Sequence, residues 1–103
     1  MSRPNFITDE DIARWSKEID ENSNMPRDLI KSAVVREICY SGLWLTEELK
    51  KLQCPDALIV RIQYSAGKSS FGKKDVWEIH QNYLKGYQDG NLDFEPEPGI
   101  ATN

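Results

Sequence analysis

The sequence predicts a mainly α protein: a compact bundle of four to five helices followed by a disordered acidic C-terminal tail. Three observations predict it. Apolar residues recur every three or four positions in separate segments along the chain. Residues that start helices (Thr8, Pro26, Thr46, and Pro55 with Asp56) stand ahead of those segments. Only residues 57–65 alternate clearly like a strand, and no other stretch clearly offers a partner to pair with them. The helical domain is expected over residues 1–90 and the tail over 91–103.

The first helix is expected over about residues 9–21. Thr8 is its N-cap, and Asp11 holds the N3 position of a capping box. Ile7 and Ile12 have the spacing of a hydrophobic staple, and Asp9, Glu10 and Asp11 face the positive end of the helix dipole. Ile12, Trp15 and Ile19 form the inward stripe. Capping, rather than metal binding, accounts for that acidic cluster.

A second helix is expected from Pro26, whose missing N–H suits a first turn, with an apolar face of Leu29, Ile30, Ala33, Val34 and Ile38. Gly42 reads as its C′ residue and GLWL (42–45) as a link. Thr46 then opens a short helix that ends before Pro55.

Residues 56–65, DALIVRIQYS, admit two readings. As a helix, Pro55 is N1, Gly67 is C′, and Leu58, Ile59 and Ile62 share a face. As a strand, Leu58, Val60, Ile62 and Tyr64 point inward, which would make the fold α+β with a strand at 57–65 paired across a dimer. The missing partner strand favours the helix. The last helix is expected over about 73–88, with Val76, Ile79, Tyr83 and Tyr87 in line, flanked by Trp77, His80 and Leu84. Asp89-Gly90 signals its end. Beyond it, three acids, two prolines and little periodicity point to an extended or disordered segment, with Leu92 and Phe94 able to dock on the body.

At 103 residues, with 39% hydrophobic and 29% charged residues, the chain has the make-up of one ordinary globular domain. No apolar run approaches the roughly 18 residues of a membrane span, and the N-terminus lacks the apolar core of a secretory signal. Cys39 and Cys54, without metal-ligand or redox spacing, suggest reduced thiols and a cytoplasmic location.

The net charge of −4 argues against a dedicated nucleic-acid binder. Its distribution says more. Residues 61–74 contain Arg61, Lys68, Lys73 and Lys74 and no acid, the one basic island in an acidic protein. Within it, Gly67-Lys68-Ser69 resembles the second half of a phosphate-binding loop of the Walker A type, but Ile62 stands where that motif has its first glycine. What remains is an anion or partner contact at a helix start, made by Lys68, Ser69, Ser70, Lys73 and Lys74. Tyr40, Leu43 and Trp44 are a second candidate, an apolar patch for another protein or a second copy of the chain.

LTEELKKLQCPDALIVRIQ, residues 45–63, resembles the helix-turn-helix of repressor-type DNA-binding proteins. Thr46 to Leu49 fit its opening, and Ile59 and Ile62 its packed side. The chain departs from the family's pattern where Lys50 and Gln53 stand near the places of its small residue and turn glycine, and Leu49 to Leu52 is one residue shorter than its usual spacing. Only Arg61, Gln63 and Tyr64 are left to read bases. The resemblance implies a DNA-binding regulator using residues 46–64. Catalysis has less support: His80 is the lone histidine and would need Cys39 or a serine nearby. No catalytic residue, cofactor or metal is expected. The function that follows is a small non-enzymatic binding or regulatory adaptor whose partner is another protein or itself, with nucleic acid second and no membrane; a small enzyme of unknown reaction is the third reading.

Overall fold

The computed structural model describes residues 3–73 and 75–90. Lys74 and the expected tail at 91–103 lie outside the described residues. Five helices follow one another, α1 (Asp9–Asn22), α2 (Arg27–Ile30), α3 (Ala33–Lys51), α4 (Asp56–Ser70) and α5 (Val76–Asp89), and there is no strand among the described residues. The bundle is organised on α3, which packs against each of the other four, while α4 and α5 also pack on each other.

The start of α1 follows from local chemistry. Thr8 Oγ1 accepts the Asp11 N–H at 3.1 Å and Asp11 accepts the Thr8 N–H at 3.0 Å, a complete capping box. Those bonds hold the Asp11 carboxyl below its usual range. Trp15 and Ile19 are buried one above the other, and Ile7 joins the same core from the entering chain.

The middle of the chain departs from the expectation. The helix starting after Pro26 is only one turn long and breaks at Lys31-Ser32. The next helix then runs through Gly42 and Thr46 without stopping. GLWL is therefore helix interior, Gly42 is not a C′ residue, and Thr46 is not an N-cap: its hydroxyl donates to the Gly42 carbonyl at 2.9 Å and accepts from Gln63 Nε2. The physical reason is burial. An interior glycine costs a helix about 1 kcal/mol, whereas each large apolar side chain taken into the core returns about 1.5–3 kcal/mol. Ending the helix at Gly42 would leave Trp44, Leu45 and Leu49, all buried, without the frame that aims them inward. The apolar face shifts accordingly, with Ile30 and Val35 buried and Leu29 and Val34 exposed.

α3 ends in a Schellman motif. The Cys54 N–H reaches the Leu49 carbonyl and the Gln53 N–H reaches Lys50, both at 3.0 Å. Gln53 takes the left-handed conformation this motif needs, at φ 60°. Residues 57–65 are helical as expected. α4, however, passes through Gly67, where an added Cβ would meet Ile38 Cγ2 at an ordinary 3.8 Å, and ends at Ser70. Gly72, at φ 76°, turns the chain toward α5, and Gly90, at φ 72°, ends that helix where Asp89-Gly90 signals a stop. In α5 the buried line is Val76, Trp77, His80 and Leu84; Ile79, Tyr83 and Tyr87 are half-buried beside it.

Candidate functional site

The basic segment does not start a helix. Lys68, Ser69 and Ser70 form the last turn of α4, Lys73 lies in the turn beyond, and α5 begins only at Val76. Lys68 and Lys73 are exposed, at the carbonyl end of a helix, where the dipole favours cations. The amide cradle expected there is not formed. Ser70 is fully buried and donates to the Ala66 carbonyl at 2.6 Å, and Ser69 Oγ lies 3.2 Å from the Tyr83 hydroxyl. Asp75 stands at the head of α5, so the nearest helix N-terminus already carries a carboxylate. The Gly67-Lys68-Ser69 triplet lies inside α4 and makes no phosphate-wrapping loop.

Trp44 is not a surface residue. It is 6% exposed, with its ring centroid 5.7 Å from Phe6 and 6.4 Å from Trp77. The helical path through 42–45 puts it inward. Tyr40 and Leu43 are half-buried against the same core, so the three do not form an open apolar patch. Leu43 borders, with Ile19 and Cys39, a groove of about 290 Å³.

An open apolar surface does exist, on the outward side of α4. Val60 (55% exposed), Tyr64 (41%) and Phe71 (62%) fall at i, i+4 and i+11, one side of a helix. Lys68, at i+8, completes that line, with its Nζ 5.9 Å from the centre of the Tyr64 ring. The charged residues of this site were expected from sequence and the apolar ones were not. The signal was present: once Leu58, Ile59 and Ile62 are assigned inward, Val60, Tyr64 and Phe71 remain as apolar residues on the wrong side of the helix.

The helix-turn-helix resemblance changes form. Thr46 opens no helix, because residues 46–51 are the last turns of α3. The turn itself is real, spanning Leu52 to Pro55, and Gln53 has the left-handed backbone at the position near the family's glycine. The exposed residues of α4 are Asp56, Ala57, Val60, Tyr64, Lys68 and Ser69, while Arg61 and Gln63 are half-buried.

Two groups with catalytic potential meet in the interior. Ser70 Oγ is 3.4 Å from His80 Nδ1, but both residues are at most 1% exposed. His80 Nδ1 lies 3.0 Å from the Val76 carbonyl and the Ser70 proton goes to Ala66, so neither group is aimed at an open site. Burial holds the imidazole pKa below its ordinary value, against the opposing effect of the Val76 carbonyl. Burial likewise pushes the Cys39 thiol up, only partly offset by Arg36. No three His, Cys, Asp or Glu side chains gather in a metal-binding group among the described residues. No helix among them is long and apolar enough to cross a membrane. Comparisons with protein families, curated proteins and solved structures find no match for this chain.

Proposed function

We propose that the chain is a small, cytosolic, non-enzymatic binding protein with an adaptor or regulatory role, and that it receives an acidic, partly apolar segment of another protein on the outward side of α4. One observation carries this reading: Val60, Tyr64 and Phe71 are exposed in line, within and beside the longest acid-free basic stretch of an acidic chain. Covering those side chains would supply the apolar part of the affinity. Lys68 and Lys73, with Lys74 next in sequence, would supply charge selectivity and a faster encounter. Both cysteines are free, in keeping with a reducing compartment.

The test is an amide and methyl shift titration with an acidic amphipathic peptide at about 50 and 300 mM salt, the higher concentration shortening the reach of charge. Saturable shifts confined to residues 57–73, weaker at high salt and lost in a Tyr64→Ser/Phe71→Ser variant that unfolds like the parent, are expected. Binding that maps elsewhere, or that survives in the variant, overturns the reading. Self-association through the same face would appear as shifts that depend on protein concentration without peptide.

A second reading, a DNA-binding regulator using residues 46–64, keeps one favourable observation: the left-handed turn at Gln53 between α3 and α4. Duplex DNA in the same titration separates the two. Shifts with duplex and none with peptide would favour DNA, with an affinity that falls steeply as salt rises.

A further inference from the structure

Between the end of α1, the one-turn α2 and the start of α3 lies a cavity of about 390 Å³ that the α4 surface does not involve. Three cations, Arg27, Lys31 and Arg36, line it against the single carboxylate of Asp20. Arg36 reaches Asp20 through Nη2 only, at 3.4 Å, while its Nη1 is shielded from solvent and has no hydrogen-bond partner. A guanidinium offers a planar fork of donors suited to two oxygens at once, and a shielded donor left unpaired is costly. Arg27 and Lys31 form no ion pair among the described residues. Arg36 also lies one turn inside the start of α3, where Ser32 makes no side-chain capping bond, so the positive end of that helix adds to the same potential. Met25 and Ile30 give the cavity an apolar wall.

We propose that this cavity binds a small phosphomonoester. Its dianionic head would take the unused donor capacity of Arg36, the guanidinium turning to bring the shielded Nη1 to the cavity, together with the charges of Arg27 and Lys31. Its carbon body would rest on Met25 and Ile30. The charge balance selects for this class: one carboxylate already answers one of the three cations, and a dianion answers the other two. The volume lies in the range of small-ligand sites, about 300–1,000 Å³, and near its lower end. The inference does not rest on the α4 reading, because the two sites share no residue.

Phenyl phosphate is the probe, titrated into the full chain with sodium chloride at matched ionic strength as the control. Saturable amide shifts over residues 20–36, absent with chloride, are expected. An Arg27→Gln/Lys31→Gln variant removes two exposed charges without touching the Arg36–Asp20 contact, so it should fold like the parent and bind at least about tenfold more weakly. Arg36→Lys keeps the charge and loses the fork, and should weaken binding as well. No saturable response, shifts that map to residues 57–73, or unchanged affinity in the double variant overturns the proposal.

Discussion

Trp44 has aromatic neighbours on two sides, Phe6 and Trp77, and Trp77 in turn meets Trp15 at 6.4 Å between centroids. A buried indole needs an acceptor for its N–H. α3 supplies two: Trp15 Nε1 donates to Glu47 at 2.9 Å and Trp77 Nε1 to Glu37 at 2.7 Å. Two half-buried acids thus fix the orientation of two core rings. Neither partnership was legible from spacing, since the pairs lie 32 and 40 residues apart. At this scale the expected result is that Trp44→Ala costs about 3–5 kcal/mol in urea unfolding, as truncation of a large buried aromatic does. An exposed partner anchor would lose about 0.5 kcal/mol or less, so a small change would return Trp44 to the surface.

Among the elements, α3 is where local signals and tertiary burial disagree. Gly42 and Thr46 read as a stop and a start, and together they divide one 19-residue helix into two. Gly42→Ala distinguishes the two cases. In a continuous helix, with nothing within 4 Å of an added Cβ, the change should stabilise the protein by about 0.5–1 kcal/mol. At a left-handed C′ position it would destabilise by a comparable amount or more, and a fall in the denaturant midpoint would place the helix end at Gly42 after all. The start of α1 and the end of α5 were legible because their chemistry is local: a capping box closes over four residues and a left-handed glycine ends a helix by itself; the start of α5, at Val76 rather than about 73, was not. The end of α3 was not, because its C′ residue is Gln53, which carries no glycine signature.

For the whole molecule, acid stability follows from the buried His80. Its native pKa lies below the ordinary 6.5 because of burial. The unfolded chain therefore binds a proton that the folded chain refuses. Stability is fully present above the unfolded value and falls as pH drops through about 6.5 toward the native value, with a limiting slope of about 1.4 kcal/mol per pH unit. Asp11, whose pKa is lowered by its capping bonds, contributes only in a more acidic window, below its ordinary 3.8. Urea midpoints between pH 7 and 5 should fall in the parent and stay nearly level in His80→Asn; parallel curves would mean that the imidazole charges freely in the folded protein. By itself the sequence determined what depends on neighbours a few residues apart: the helical class, the N-terminal cap of α1, the stop at Gly90, and the basic island at 61–74. The tertiary structure decided what depends on contacts far along the chain. It joined two helices into α3, took Trp44 and Ser70 out of reach of partners, and left Val60, Tyr64 and Phe71 outside. The reason is one of magnitude: a misplaced glycine or threonine costs a helix about 1 kcal/mol or less, and burying Trp44, Leu45 and Leu49 on one continuous frame outweighs it.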